Sequence, residues 1–300
     1  MQKSQFGYFH RALPFSVPIL ANADKLISMP KIAHYPVALT IAGSDSGGGA
    51  GIQADLKTFA AFGVHGVSAI ACLTAQNPRR ILAIEPCSPD MLRRQIEAVF
   101  EELRPAAVKT GMLFSVENIR VVVNFFRNSK FKIQNSKLIV DPVMVSTSGA
   151  RLLKPSAIKI LKKQLLPRAT LVTPNLPEAE VLIGEKIATV GSMRAAAREI
   201  HARFGCAALV KGGHLHGMRE AVDIFFDGRT ELLLTAPFIK GVRTHGTGCA
   251  YSAAITAALA LGRDLPQAVG LAKNYITQAI ARSYRVAGHC ALDHFAARQM

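Results

Sequence analysis

The chain contains no tryptophan, and its five cysteines are widely spaced with no Cys-x-x-Cys pair. An odd number of scattered cysteines indicates neither a zinc site nor a disulfide framework, and it favours a reducing, cytoplasmic compartment. The longest apolar run, near residues 250–261, is too short to span a membrane. No internal repeat or low-complexity tract is visible. We therefore expect a soluble, globular protein with a full hydrophobic core.

Acidic residues are also scarce, because 36 Lys and Arg stand against 20 Asp and Glu, and the net charge is +16. The excess is concentrated between Arg127 and Arg168, where Asp141 is the one acid. No nucleic-acid module or aromatic stacking motif accompanies this basic stretch, so nucleic-acid binding is not favoured. We expect a solvated face that also attracts anionic substrates. Several of its lysines lie on a predicted helix, namely Lys154, Lys159, Lys162 and Lys163.

The N-terminal segment differs from the rest of the chain, with little periodicity and Asp24 as its one acid. Pro14 and Pro18 interrupt the apolar run that follows Arg11, which argues against a signal peptide. We expect residues 1–33 to be a poorly ordered N-terminal extension, or Met29 to be the true start. Residues 34–300 are expected to form a single domain.

From Pro36 onward, short apolar runs alternate with amphipathic segments. Apolar runs of this kind, interleaved with helical patterns, are typical of a mostly parallel sheet covered on both faces. The predicted strands are 37–42, 67–73, 106–109, 138–141, 170–173, 207–211, 221–226 and 231–235. The predicted helices are 51–62, 89–103, 116–129, 156–164, 178–183, 192–204, 248–261 and 265–284. Asp227-Gly228 predicts a tight hairpin between the last two strands. The fold class is therefore a three-layer α/β/α sandwich, in which ligands bind beyond the carboxyl ends of the strands.

The segment that ends at Cys249 reads Arg-Thr-His-Gly-Thr-Gly-Cys and runs into an alanine-rich helix. A helix that begins there leaves backbone N–H groups without partners at the positive end of its dipole, which favours a phosphate. Gly246 and Gly248 have no Cβ, so an anion can approach the backbone closely. A positive field near Cys249 would lower the pKa of its thiol. The segment indicates a phosphate-transfer site; the alternative is a Gly-rich turn before a core helix with a buried cysteine.

Polar residues follow the ends of three other predicted strands. Asp141 comes directly after buried apolar residues, where Mg²⁺ carrying phosphates would supply the counter-charge. Glu178 is a second acid for that ion or a first-turn acid of a helix, and Asn175 could hold a metal-bound water or a phosphate. Lys211 could neutralise the charge of a transferring phosphate.

The first predicted strand leads into a loop with five glycines between Gly43 and Gly51, without the Gly-Lys-Ser/Thr of a Walker loop. Asp55 lies one turn into the next helix and faces either the loop's ligand or solvent. Gln76 offers a paired donor and acceptor that suits an aminopyrimidine edge, or it caps a turn. Met112 packs on a flat ring or in the core. Together, an anion site, two acids, a lysine and a Gly-rich loop at one sheet edge form a kinase-like set.

Eight motifs occur together in this chain. They are Ala38-Leu-Thr-Ile-Ala-Gly-Ser-Asp45, Gly48-Gly-Ala-Gly-Ile-Gln-Ala-Asp-Leu-Lys-Thr58, Ala75-Gln-Asn77, Gly111-Met-Leu113, Val140-Asp-Pro-Val-Met144, Thr173-Pro-Asn-Leu-Pro-Glu-Ala179, Lys211-Gly-Gly-His214 and Thr244-His-Gly-Thr-Gly-Cys249. In combination the chain resembles the hydroxymethylpyrimidine/phosphomethylpyrimidine kinases of thiamine biosynthesis, from about residue 37 to 287. The segment Gly288-His-Cys-Ala-Leu-Asp-His294 departs from the family pattern, which could alter a partner surface.

The resemblance implies a ribokinase-like fold and the phosphorylation of 4-amino-5-hydroxymethyl-2-methylpyrimidine, then of its monophosphate, by Mg-ATP. It also implies a homodimer. The implied pyrimidine pocket contains Gly43, Asp55, Gln76 and Met112. The implied metal, ATP and transfer residues are Asp141 and Glu178 for Mg²⁺, Asn175, Thr247 and Lys211 for ATP, Gly246 and Gly248 for the anion hole, and Cys249 as the base.

Two alternatives remain at this stage. Pyridoxal kinase is the nearer one, because both substrates are flat heterocyclic alcohols. The other is a basic nucleic-acid or regulatory protein that uses the scaffold without activity.

Overall fold

The computed structural model describes residues 34–128, 136–144, 152–213, 215, 220–239 and 245–296. The chain divides into two compact units, Met1–His34 and Tyr35–Met300, and the elements below belong to the second. The predicted extension of residues 1–33 lies outside the described residues.

A nine-stranded sheet forms the centre of this unit, in the order β3-β2-β1-β4-β5-β6-β7-β8-β9. The strands are β1 (Val37–Asp45), β2 (His65–Gln76), β3 (Ile81–Pro86), β4 (Ala107–Thr110), β5 (Lys137–Val140), β6 (Leu171–Val172), β7 (Ala207–Lys211), β8 (Glu220–Phe226) and β9 (Glu231–Pro237). Six neighbouring strands, β2-β1-β4-β5-β6-β7, pair in parallel. β3 is antiparallel at one edge, and β8 and β9 are antiparallel at the other.

Helices cover both faces of the sheet. They are α1 (Gly51–Ala61), α2 (Pro89–Glu102), α3 (Val116–Asn128), α4 (Pro155–Ile160), α5 (Leu176–Ile183), α6 (Val190–Phe204), α7 (Thr247–Ala260) and α8 (Leu265–Ala281). Helices α2 to α6 pack on one face, and α1, α7 and α8 pack on the other. A short hairpin of β10 (Tyr284–Val286) and β11 (His289–Ala291) follows α8.

Successive residues of a strand point into two different cores, as a sheet with two covered faces requires. Leu138 and Val140 of β5 belong to one apolar cluster, whereas Ile139 between them belongs to the other. Helix α7 is buried on nearly all sides, since it lies between the sheet, α1 and α8. Its many alanines allow this close packing. The predicted three-layer α/β/α sandwich is confirmed.

All eight predicted strands are present, and so is the predicted β8–β9 hairpin. Its turn is closed by the Asp227 carboxylate, which accepts hydrogen bonds from the N–H groups of Arg229 and Thr230 at 2.9 and 2.7 Å. Sequence reasoning missed β3, whose apolar residues are largely exposed and therefore show no burial pattern. The last predicted helix was too long: α8 ends at Ala281, and Tyr284 begins β10.

The lysines predicted to form a solvated face lie at α4 and the turn that follows it. Lys154, Lys159 and Lys163 are exposed, and Lys162 donates a hydrogen bond to the Val181 carbonyl oxygen at 3.2 Å. No helix in the described ranges is both long enough and apolar enough to cross a membrane.

The segment that departs from the family pattern packs the second of its two histidines, His294, into this domain. His294 is 6% exposed, and its Nδ1 lies 3.1 Å from Thr58 Oγ1 and 3.3 Å from the Tyr275 hydroxyl. Burial lowers the pKa of His294 to about 4, and the Lys57 ammonium acts in the same direction. His294 therefore stays neutral in the folded protein at pH 6, whereas it takes up a proton in the unfolded chain.

This histidine makes stability depend on pH. Between about pH 6.5 and pH 4 the unfolded chain binds the extra proton, so the free energy of unfolding falls as the pH falls through that window. We expect wild type to lose up to about 3 kcal/mol more than His294→Asn between pH 7 and pH 4. Denaturant unfolding at a series of pH values measures this difference. His65→Asn, at an exposed histidine, is the control and should follow wild type; equal slopes for wild type and His294→Asn would contradict the assignment.

Candidate active site

The site residues lie where the parallel strands end. Asp45, Gln76 and Lys211 are the last residues of β1, β2 and β7, and Asp141 directly follows β5. Because parallel strands bring their carboxyl ends to one edge, these side chains meet there. The structure thus brings Gln76, Asp141 and Lys211, which the sequence singles out, to one edge of the sheet.

Asp141 is the centre of the polar group at this edge and is 4% exposed. Its Oδ1 lies 3.3 Å from Lys211 Nζ and 3.4 Å from Thr173 Oγ1, and its Oδ2 accepts a hydrogen bond from Ser252 Oγ at 3.2 Å. Lys211 thus supplies the positive charge that a buried carboxylate needs. The ion pair joins β7 to the end of β5.

Glu178 belongs to a capping box at the start of α5. Its Oε2 accepts a hydrogen bond from the Asn175 N–H at 3.0 Å, and the Asn175 side chain accepts one from the Glu178 N–H at 2.9 Å. Its Oε1 accepts a hydrogen bond from the Met144 N–H at 2.9 Å. Glu178 is therefore a first-turn acid of a helix, and it also lies near Asp141, where a second acid for Mg²⁺ was predicted. The Asn175 carbonyl is used in the same cap.

Burial raises the pKa of Glu178 to about 7, and the negative charge of Asp141 adds to this effect. Two buried acids with one lysine between them leave negative charge that a bound cation would neutralise. No group of three or more His, Cys, Asp or Glu side chains in the described parts of the chain could hold a metal by itself. Asp141 and Glu178 fit Mg²⁺ held mainly through water and phosphate oxygens, which is how Mg²⁺ is usually bound.

The N-terminus of α7 forms an anion cradle beside these acids. Gly246 is the N-cap residue with a φ of 86°, and no side chain caps the helix there. A Cβ at Gly246 would lie 1.7 Å from the Gly49 carbonyl oxygen, so the Gly-rich loop and the cradle touch. A Cβ at Gly248 would lie 3.5 Å from Lys211 Nζ. The cradle therefore combines a helix N-terminus with an ammonium group, a combination that suits a phosphate.

Cys249 lies in the first turn of α7, as predicted, but the predicted direction of its pKa shift was wrong. Cys249 is half-buried, and the loss of hydration around its thiol raises the pKa to about 11. The Lys109 ammonium and the Gly51 N–H act in the opposite direction. The carboxylates of Asp55 and Asp141 raise the pKa further. Loss of hydration thus outweighs the positive field, so Cys249 is a thiol at neutral pH.

A fully buried ion pair lies under the site. Lys109 Nζ is 2.8 Å from Asp55 Oδ2, and both side chains are wholly buried. The same Oδ2 accepts a hydrogen bond from Thr40 Oγ1 at 2.6 Å. Asp55 is therefore not a solvent-facing helix residue. Its Oδ1 is buried with no hydrogen-bond partner among the described residues.

Gly43 and Met112 form one wall beside this pair. A Cβ at Gly43 would lie 3.1 Å from Met112 Cε and 2.8 Å from Cys72 Sγ. The absence of a side chain at Gly43 thus makes room for the Met112 methyl group. Met112 is only partly buried, so it can also contact a bound ring.

Gln76 ends β2 next to the Gly-rich loop. Its backbone N–H donates a hydrogen bond to Ser46 Oγ at 2.8 Å, and its Nε2 lies 2.9 Å from His245 Nε2. The loop itself is ordered by the Asp45 carboxylate, which accepts hydrogen bonds from the N–H groups of Gly47 and Ala50 at 2.8 Å each. Gln76 is thus held by side chains from two other segments.

Sequence reasoning missed four residues that organise this site: Asp45, Lys109, His245 and Ser252. Two of them carry a signal in the sequence. Lys109 stands at the end of an apolar strand and Asp45 stands at the end of another, where a buried charge requires a partner. The partners themselves lie far apart in sequence. Thr247 begins α7, one residue before the predicted start of that helix.

Comparisons with known proteins agree with this arrangement. The family profile "Phosphomethylpyrimidine kinase" matches residues 45–292. The chain is 43% identical over 260 residues to the hydroxymethylpyrimidine/phosphomethylpyrimidine kinase of Bacillus subtilis, covering 86% of this chain and 94% of that relative.

Two solved structures share the fold. A phosphomethylpyrimidine kinase of Clostridium difficile is 46% identical with a TM-score of 0.72, and the match covers 82% of this chain and 99% of that one. A Bacillus subtilis pyridoxal kinase in complex with ADP is 37% identical with a TM-score of 0.80, and the match covers 89% of this chain and all of that one. The sheet, the site and these similarities together show that the chain belongs to the phosphomethylpyrimidine kinase family.

Proposed function

We propose that this chain transfers a phosphoryl group from ATP to 4-amino-5-hydroxymethyl-2-methylpyrimidine and then to its monophosphate, in thiamine biosynthesis. One observation carries the proposal: the same sheet edge holds an amide suited to a heterocycle, Gln76, and a phosphate cradle with Lys211 beside Asp141. The relatives' names and the ADP complex of the similar pyridoxal kinase support the same chemistry.

Charge stabilisation is the main task of the protein in this reaction. Phosphoryl transfer has a loose transition state, so positioning and neutralisation of charge matter more than strong deprotonation. Lys211 and the N-terminus of α7 act on the transferring group. Asp141 and Glu178 would hold Mg²⁺, which neutralises phosphate charge when bound. Asn175 and Thr247 are proposed to contact ATP.

The hydroxymethyl group of the substrate is proposed to lie against Cys249. The Cys249 thiol has a pKa of about 11, so few molecules carry the thiolate at neutral pH. A thiolate that forms there is strongly basic. In a loose transition state the hydroxyl loses its proton late, so a rarely ionised base at the right place suffices. Asp55 is proposed to belong to the pyrimidine pocket by holding the Lys109 ammonium beneath it, since its own carboxylate is wholly buried.

A homodimer and a cytoplasmic location complete the proposal. Leu73 and Leu82, on β2 and the edge strand β3, are 53% and 61% exposed. A second copy would cover such apolar side chains. All five cysteines are free, which fits a reducing compartment.

Pyridoxal kinase is the second candidate, because a solved pyridoxal kinase shares this fold. Mg-dependent release of ADP, measured with the hydroxymethylpyrimidine, its monophosphate and pyridoxal, separates the two. We expect kcat/KM to be at least about tenfold higher for the pyrimidines, since Gln76 can pair with both polar atoms of an aminopyrimidine edge. A preference for pyridoxal would assign the chain to vitamin B6 salvage. No turnover of any of the three would indicate a protein without this activity.

The role of Cys249 is tested by Cys249→Ala. We expect kcat to fall by about 10²- to 10⁴-fold because the base is lost, whereas the Kd for ATP stays near the wild-type value. Steady-state ADP release and calorimetric titration of ATP measure the two. Cys87→Ala, at another half-buried free cysteine, should match wild type. An unchanged kcat in Cys249→Ala would remove this residue from the mechanism.

The contact between the cradle and the Gly-rich loop is tested by Gly246→Ala. The added Cβ would overlap the Gly49 carbonyl oxygen at 1.7 Å, so one of the two segments must move. We expect turnover to fall by about 10²-fold, because small misplacements of reacting groups are costly. Gly262→Ala is the matched control, since Gly262 has a similar φ of 81° with no atom near its Cβ position. Unchanged turnover in Gly246→Ala would contradict the importance of this contact, and an equal loss in both variants would assign the effect to backbone strain.

A further inference from the structure

His245 lies between Gln76 and the phosphate cradle at the N-terminus of α7. It has no role in the mechanism above. Its Nε2 is 2.9 Å from Gln76 Nε2 and 3.2 Å from Asp45 Oδ2. A Cβ at Gly49 would lie 3.0 Å from the Cδ2 atom of the imidazole, so the ring is also in contact with the Gly-rich loop. The imidazole is therefore held in place by β1, β2 and the loop at the same time.

A single imidazole nitrogen either donates or accepts a hydrogen bond. The Asp45 carboxylate has no proton to donate, so it can pair with Nε2 only when that nitrogen is protonated. Gln76, in contrast, can turn either its carbonyl oxygen or its NH₂ group toward the ring. The state of His245 Nε2 thus decides which end of the Gln76 amide faces it.

The shorter of the two contacts, at 2.9 Å, is with the NH₂ group of Gln76. In this arrangement Nε2 carries no proton and accepts, so Asp45 Oδ2 at 3.2 Å is a neighbour of the ring and not its hydrogen-bond partner. Thr74 Oγ1 lies 3.2 Å from Gln76 Oε1 at the other end of the amide. One N–H and one carbonyl lone pair of Gln76 then remain for a ligand. An aminopyrimidine edge offers the complementary pair, a ring nitrogen that accepts and an amino group that donates.

We propose that His245 is a positioning residue for substrate specificity, which fixes the orientation of the Gln76 amide and so makes the site select an amino-substituted heterocycle. Reversal of the amide would exchange its donor and acceptor. The ring would then have to turn over to pair with it, which moves the hydroxymethyl group away from Cys249. This inference rests on the proposed function, because it assumes that Gln76 binds the pyrimidine.

The test compares the hydroxymethylpyrimidine with its analogue that lacks the 4-amino group. The Kd of each compound is measured by calorimetric titration for wild type, His245→Phe and His245→Gln, together with kcat and KM for ADP release. Phe keeps a ring but has no hydrogen-bonding atom. Gln places an amide near the position of Nε2. His65→Phe, the same change at the opposite end of β2, is the matched control.

We expect wild type and His65→Phe to bind the amino compound at least about tenfold more tightly than the analogue. In His245→Phe the Gln76 amide is still present but no longer fixed, so this ratio should fall by about threefold or more. KM for the pyrimidine should rise, and kcat should fall because part of the bound ring lies turned over. His245→Gln should restore most of the ratio. His245→Asn, whose amide is too short to reach both partners, should behave like His245→Phe and provides a second variant if that protein does not fold.

Retention of the full ratio in His245→Phe would overturn the inference, and so would an equal loss for both compounds. A wild-type protein that binds the amino compound and the analogue equally would overturn it as well. These outcomes differ from failure of the proposed function, in which wild type would neither bind nor phosphorylate the hydroxymethylpyrimidine.

Discussion

Six neighbouring strands of this sheet run parallel, and parallel strands bring their carboxyl ends to one edge. Every polar group of the candidate site depends on that constraint. Gln76, Asp45, Asp141 and Lys211 come from four strands that are far apart in sequence, yet each stands at or directly after a strand end. The Gly-rich loop and the N-terminus of α7 meet above this edge, where Gly246 touches Gly49.

Buried charges are the second feature that shapes the site, because each has to be compensated inside the protein. The Asp55 carboxylate is paired with Lys109 and the Asp141 carboxylate with Lys211. Compensation is incomplete at Glu178, whose raised pKa reflects both burial and the neighbouring Asp141. The uncompensated negative charge at Glu178 favours binding of a cation together with its phosphates.

The prediction of a lowered pKa for Cys249 was wrong for an instructive reason. A helix N-terminus and a lysine do favour a thiolate, and Lys109 acts in that direction. Burial removes the hydration that a thiolate needs, and this effect is larger. A sequence motif shows the sign of the nearby field, whereas the depth of burial depends on how α7 packs against α1, α8 and the sheet.

The sequence by itself determined the fold class, because apolar strands interleaved with helices are buried on both sides only in a parallel sheet that helices cover on both faces. It also determined the chemical types at the strand ends and the family. It missed β3, whose apolar residues are exposed and carry no burial signal. Only the tertiary structure decided which residues meet: Lys109 pairs with Asp55, and His245 lies beside Gln76 and Asp45. These residues are up to 200 positions apart in sequence. Whether two such residues meet depends on how the whole domain packs, and a local sequence pattern contains no information about that.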